Sequence, residues 1–247
     1  MPSIRLTGHR GARGEAPENT LSGFAYAKRL GLTAVEFDVH LSRDGELVVI
    51  HDATVDRTTN GSGPVADFTA AELAALDARA SVPDWPEPCG VPTLAQVLDI
   101  VGGLETLLVE IKRDEPARLE RVVPAVLRLL GERGLTDRVI VTSFEPVALE
   151  LVQHHAPGQT RGYIGAWDGP DFLETALRLG CRSAHVSSRG GSAEMVAACH
   201  TAGLGVFGWP CNDEETLHRL LAWGVDGFTT DQPTALRTAL DGIAADM

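Results

Sequence analysis

From Glu36 to Asp52 the chain reads EFDVHLSRDGELVVIHD, and Glu36, Asp38, His40 and His51 are the side chains in it that could do chemistry. Asp44-Gly45 between apolar runs is a strong hairpin signal. With those two residues as the loop, Arg43 pairs with Glu46, and Asp38 lies opposite His51. A period of two puts Glu36, Asp38 and His40 on one face, and cross-strand partners share a face. The alternative is a charged, solvated edge hairpin. Against it, Glu36 and Asp38 alternate with Val35, Phe37 and Val39, which read as buried. Carboxylates in such a strand need a cation or dense hydrogen bonding.

Two more groups join them. Glu110 and Lys112 close another apolar strand and share a face, and His9 and Arg10 follow the first strand of the chain. Glu36, Asp38 and Glu110, with no cysteine near them, form a hard oxygen set that suits Mg²⁺ or Ca²⁺ better than zinc. The competing reading is a cluster neutralised by Arg10 and Lys112 alone, but three negative charges against two positive leave room for a cation. A divalent metal with Arg10 and Lys112 makes a positive pocket suited to a phosphate ester. His9 and His51 flank it as candidates for proton transfer, since imidazole titrates near neutral pH. His40 lies further out and reads as a rim hydrogen-bonding group. Trp209 ends a late strand, where it either stacks on an organic group or simply packs. Glu18 either favours a helix N-terminus or contacts Arg10.

The elements that must position these groups alternate along the chain. Strand-like Ser3 to Gly8 precedes a helix capped by Asn19 or Thr20 and stopped by Gly31. Ala34 to Val39 and Leu47 to His51 form the hairpin. Residues 52–91 are rich in Gly, Pro, Asp and Thr, with a short helix in FTAAELAALDA. So long an excursion usually covers a site or contacts a partner, and this one is expected to overhang the mouth of the site and limit substrate size. Beyond it, strands at Thr106 to Lys112, RVIVTSF, RGYIG, SAHVSS, GVFGW and GVDGFTT are each followed by a helical segment. Without the hairpin partner there are eight strands, each followed by a helix, which predicts an α/β fold, a (β/α)8 TIM barrel with an inserted segment after the second strand's hairpin. A doubly wound open sheet is the alternative. In the barrel the active residues gather at the carboxyl ends of the strands, where His9, Arg10, Glu36, Asp38, Glu110 and Lys112 fall on adjacent strands. His185, on the sixth strand, could face the barrel interior.

The 247 residues suit one domain, 1–247, and 44% hydrophobic content suits an ordinary core. A net charge of −13 with no basic cluster argues against nucleic acid or an anionic membrane as partner. The four cysteines have neither metal-site nor disulfide-scaffold spacing. With no apolar leader or membrane-length segment, a reducing, cytoplasmic location is expected, without stable membrane insertion.

Taken together, GHRGARGEAPENT, AVEFDVHLSRDGELVVIHD, VPTLAQVLD, LLVEIK, VTSF and GVDGFTTDQP resemble the glycerophosphodiester phosphodiesterase family over nearly the whole chain. The resemblance implies a barrel that hydrolyses small-molecule glycerophosphodiesters to glycerol 3-phosphate and an alcohol. It makes His9 and His51 the acid–base pair, Glu36, Asp38 and Glu110 the divalent-metal ligands, and Arg10 and Lys112 the phosphate-holding cations; Trp209, from its place at the rim, is expected to bind the substrate. One departure stands out. Where relatives read Trp-Thr-Val-Asn, this chain has Trp209-Pro210-Cys211-Asn212, and Pro210 removes a backbone donor and stiffens the loop, which bears on head-group preference. The alternatives are a lysophospholipase D or phospholipase-like activity on lipids, and a non-catalytic barrel that only binds glycerophosphodiesters. The latter would be signalled by loss of a histidine or ligand, and all are present.

Overall fold

The architecture follows from strands whose neighbours are buried on both faces. In the computed structural model, which describes residues 4–167 and 171–245, β1 (Arg5–Gly8) leads to α1 (Leu21–Arg29), and β2 (Ala34–Leu41) is buried at every position. β3 (Leu47–Val49), α2 (Ala70–Ala74) and α3 (Leu94–Val101) follow, then β4 (Thr106–Ile111) and α4 (Pro116–Glu132). Next come β5 (Val139–Ser143), α5 (Pro146–His155), β6 (Arg161–Gly165) and α6 (Phe172–Arg178). The chain ends with β7 (Ser183–Ser187), α7 (Ala193–Thr201), β8 (Gly205–Trp209), α8 (Glu214–Trp223), β9 (Gly227–Thr230) and α9 (Pro233–Ala245). β1, β2 and β4 to β9 pair in parallel, and β1 pairs with both β9 and β2, so the sheet closes into the predicted barrel. β3 lies outside the ring, antiparallel on β2.

Closure buries the helices' apolar stripes against the outer face of the barrel. On α4, Leu119, Val122, Val123, Val126 and Leu130 are buried, the spacing of one helical face. They pack with Phe37, Val39, Val109 and Val141 in one core cluster. Thr20 caps α1 by accepting from Gly23 N, and the expected stop at Gly31 has a positive φ of 80°, which glycine adopts at no steric cost. Thr93 and Gln96 form a capping box on α3, and fix that helix beside the hairpin through a bridge between Val48 and Thr93.

The hairpin register differs from the expectation by one residue. Val39 pairs with Val49, His40 with Val48 and Leu41 with Leu47, so Asp38 stands opposite Ile50, whose N–H donates to the Asp38 carbonyl at 3.1 Å. The loop holds three residues, Arg43-Asp44-Gly45, closed by Ser42 N to Glu46 O at 2.9 Å, with Gly45 at φ 87°. A turn ending in a left-handed glycine is the usual three-residue solution, and the Ser42 hydroxyl reinforces it by donating to Asp44 at 2.6 Å. A one-residue slip would put His51 on the wrong face if the strand continued. Pairing ends at Val49, and His51 reaches the site from a bend instead.

No described helix is long and apolar enough to cross a membrane.

Candidate active site

The turn after β1 shapes one wall. His9 N donates to Thr230 O at 2.9 Å, which ties the turn to β9 across the barrel closure. A Cβ on Gly8 would stand 2.0 Å from the Gly11 carbonyl oxygen, so only glycine allows the chain to double back there. Arg10 and Asn19 both take positive φ, 51° and 55°, a conformation that costs a non-glycine residue on the order of 1–2 kcal/mol. Both positions serve the acidic cluster: Arg10 N donates to Glu36 Oε2 at 3.0 Å, and Asn19 Nδ2 to Asp38 Oδ2 at 2.8 Å. Asn19 N also donates to Arg10 O at 3.0 Å, which locks the two left-handed residues together.

Parallel register brings the three carboxylates together. Asp38 on β2 is level with Glu110 on β4, and Glu110 with Thr142 on β5. Glu36, Asp38 and Glu110 are all buried, and each presents an oxygen within 4.8 Å of the others. Lys112 Nζ lies 2.5 Å from Glu110 Oε1 and 3.3 Å from Asp38 Oδ1; Arg10 Nε lies 3.3 Å from Asp38 Oδ2. Glu36 Oε1 and Asp38 Oδ1 are nevertheless buried without a hydrogen-bond partner. Two orphaned oxygens in an all-carboxylate cluster fit a hard divalent cation.

The charge balance says the same. Burial pushes Asp38 up, but Lys112 and Arg10 together pull its carboxyl below the ordinary range. Burial, then Asp38 and Glu110, push Glu36 well above it. Glu110 rises to about 7 through burial and Asp38, despite the short contact with Lys112. The buried excess of negative charge outweighs one ammonium, so without a cation the cluster holds protons.

Both sequence-predicted histidines face the same cavity, with Arg10, Glu36, Glu110 and Trp209, and each has a carboxylate behind it. His9 Nδ1 is 2.5 Å from Asp231 Oδ1, and His51 Nδ1 is 2.5 Å from Asp52 Oδ1. With Nδ1 so engaged, Nε2 is the atom left for proton exchange. His9 Nε2 lies 3.8 Å from Glu36 Oε2. Burial lowers the pKa of His9 against the hydrogen bond to Asp231, and that of His51 against the nearby charge of Asp38. His40 Nε2 meets the His51 carbonyl at 3.2 Å, the structural role expected of it, and Glu18 Oε1 accepts from Arg10 Nη1 at 2.8 Å.

An aromatic wall faces the acidic one. Trp209 and Phe144 meet edge to face, with ring centroids 5.5 Å apart, and the Lys112 ammonium is 5.9 Å from the Phe144 ring centroid. His185 lines the cavity from β7 and stacks on Phe207; burial lowers its pKa to about 3, so this ring is neutral. In the Trp209-Pro210-Cys211-Asn212 loop, Pro210 O accepts from the Ser188 hydroxyl at 2.6 Å. Asn212 donates to Asp231 Oδ2 and accepts from Asp231 N, both at 2.8 Å. Asn212 therefore braces the carboxylate behind His9.

Asp231, Asp52, Asn19 and Asn212 were not assigned from the sequence. All four fall inside the motif segments or the loop already singled out, but only contacts identify what they hold. None of residues 52–91 is among those lining the cavity. The segment folds over the hairpin, burying Val55, Val65, Leu73, Ala78 and Val91 with Val48 and Ile50.

Known proteins resemble this chain in sequence and in fold. The sequence model of the Glycerophosphoryl diester phosphodiesterase family matches residues 9–235. A glycerophosphodiester phosphodiesterase of Caldanaerobacter subterraneus subsp. tengcongensis is 36% identical over 232 residues, covering 92% of this chain and 94% of the relative. Another from Bacillus subtilis is 31% identical, covering 93% of this chain and 84% of the relative. Among solved structures, an Oleispira antarctica phosphodiesterase in complex with the product sn-glycerol-3-phosphate superposes with a TM-score of 0.90 at 30% identity, covering 96% of each chain. A match that starts at His9 itself and runs almost to the end of the barrel, with relatives of this identity along nearly the full length, places the chain in the glycerophosphoryl diester phosphodiesterase family, as a phosphoric diester hydrolase.

Proposed function

We propose that this chain is a metal-dependent enzyme that hydrolyses glycerophosphodiesters to glycerol 3-phosphate and an alcohol, with His9 and His51 exchanging the protons. The observation that carries the reading is the shared cavity: a buried three-carboxylate cluster with orphaned oxygens, two cations, and two imidazoles each backed by a carboxylate. The Oleispira antarctica relative's bound product supports glycerol 3-phosphate as the product here. Mg²⁺ or Ca²⁺ held by Glu36, Asp38 and Glu110 would supply Lewis-acid polarisation of a phosphoryl oxygen. Arg10 and Lys112 hold the phosphate and balance its charge, and Trp209 packs against the organic part of the substrate.

His9, its Nδ1 proton directed at Asp231, takes the proton of the attacking hydroxyl, which by family analogy is the substrate's own glycerol hydroxyl. The new P–O bond forms as the bond to the alcohol oxygen breaks, and His51 gives that oxygen its proton. Water then opens the cyclic phosphate with the roles reversed: His51 takes the water proton and His9 returns its own to the glycerol oxygen. The four cysteines, all free, fit a reducing compartment such as the cytoplasm.

The test is turnover of a panel of glycerophosphodiesters, with lysophosphatidylcholine included, with and without chelator. Release of glycerol 3-phosphate that stops with chelator and returns with Mg²⁺ or Ca²⁺ is expected. Full activity of metal-free protein in chelator refutes the metal assignment, and turnover confined to the lysolipid moves the enzyme to lipid substrates.

A further inference from the structure

Arg57 does not line the cavity, yet it links the two halves of the site. It lies in the segment after the hairpin, in a turn held by Thr59, whose N–H and hydroxyl both donate to Val55 O, at 3.1 and 2.8 Å. Its guanidinium forms two forked pairs. Nη1 and Nη2 donate to Glu18 Oε2 and Oε1, each at 2.9 Å; Nε and Nη2 donate to Asp52 Oδ2 and Oδ1 at 2.7 and 3.1 Å. Glu18 Oε1 also accepts from Arg10 Nη1, and Asp52 Oδ1 holds His51 Nδ1. A continuous chain of contacts therefore runs Arg10, Glu18, Arg57, Asp52, His51.

An exposed ion pair of this kind is ordinarily worth little, and the Arg57 side chain is 45% exposed. The acceptors are what set it apart. The Glu18 side chain is 4% exposed and, among the described residues, its charge is matched only by Arg10 and Arg57. Among the described residues, the Asp52 carboxylate hydrogen-bonds with His51 and Arg57 alone, so Arg57 is what holds it against rotating away from His51. A planar fork with five N–H donors can hold two carboxylates at fixed angles; an ammonium cannot.

Resting on the reading of His51 as the general acid, we propose that Arg57 is a positioning residue for this reaction. Through Asp52 it fixes the His51 ring so that Nε2 meets the departing alcohol oxygen, and through Glu18 it fixes Arg10 against the phosphate. The inserted segment contributes to the reaction through Asp52 and the Arg57 side chain that holds it.

The test uses the metal-loaded enzyme and two substrates, glycerophosphocholine, whose alkoxide leaving group needs a proton, and a glycerophospho-p-nitrophenyl ester, whose phenolate hardly does. Arg57→Ala and Arg57→Lys are compared with His51→Ala. Loss of an outer partner of this type costs about 10–100-fold. The expectation is a loss of that size in kcat on glycerophosphocholine for both Arg57 variants, several-fold less loss on the p-nitrophenyl ester, and a KM raised for both substrates. Guanidinium ion added to Arg57→Ala restores glycerophosphocholine turnover, whereas NaCl at equal ionic strength does not. Should Arg57→Ala not fold, Arg57→Lys carries the comparison. Equal kcat losses on both substrates for the Arg57 variants, with His51→Ala still selective, overturn the positioning role alone. An unselective His51→Ala overturns the acid assignment and the proposal with it.

Discussion

Glu110 should compete for protons with the metal it is proposed to bind. Its carboxyl sits at about 7 in the metal-free fold, against an ordinary 4.5, because burial and Asp38 outweigh Lys112. At about 1.4 kcal/mol per tenfold change in ionisation, that difference corresponds to on the order of 3 kcal/mol. The sign follows from proton counting. Between pH 4.5 and 7 the folded state binds a proton that the unfolded state has released, so this contribution is full at low pH and disappears as pH rises through 7. His9, His40 and His51, whose pKa values burial lowers, act in the opposite sense near 6.5, so wild type alone is ambiguous. The comparison with Glu110→Gln removes the Glu110 carboxyl, and with it part of what raises Glu36, while leaving the histidines in place. In chelator, urea denaturation should show Glu110→Gln gaining stability relative to wild type from pH 5 to 8.5, by on the order of 3 kcal/mol. Mg²⁺ or Ca²⁺ should close the gap for wild type only. Calorimetric titration of wild type should show affinity rising by at least about tenfold per pH unit below pH 7, with protons released on binding, because Glu36 is raised as well as Glu110. A pH-independent stability difference, together with flat metal affinity below pH 7, would refute both the ionisation state and the ligand assignment.

Asp231→Asn leaves the volume behind His9 unchanged but removes the charge that orients its Nδ1 proton. We expect kcat to fall by about 10²–10⁴ with little change in the urea midpoint; near-normal turnover would detach Asp231 from the chemistry. Asn212→Ala, which frees Asp231 from its two contacts, should give a smaller loss, about 10-fold, as measured by kcat/KM on glycerophosphocholine. Phe144→Ala removes the ring beside Trp209 and should raise KM more than it lowers kcat, and a pure kcat defect would place Phe144 in the chemical step. Gly8→Ala drives a methyl into the Gly11 carbonyl and Leu32, so denaturation should show a loss of about 3 kcal/mol or failure to fold.

Much of this was already legible along the chain. Eight strands each followed by a helix, with Glu36 and Asp38 two apart inside a buried strand, are local patterns. Periodicity carries them because side-chain direction in a strand depends only on the residue's own position. The same holds for Glu110 and Lys112. Contacts between distant segments have no such local signature. Asp231 meets His9 across 222 residues only because β9 pairs with β1 to close the ring. Arg57 reaches Glu18 across 39 only because its segment folds back over the hairpin. Nothing in the periodicity of either segment records that approach. The hairpin register lay between these cases. Asp-Gly signals a turn in two- and three-residue loops alike, and the Ser42 contacts that select the longer one depend on how the strands meet. His51 therefore reaches the cavity by a route other than the expected one: tertiary packing, through the bend after β3, brings it there where strand alternation would have turned it away.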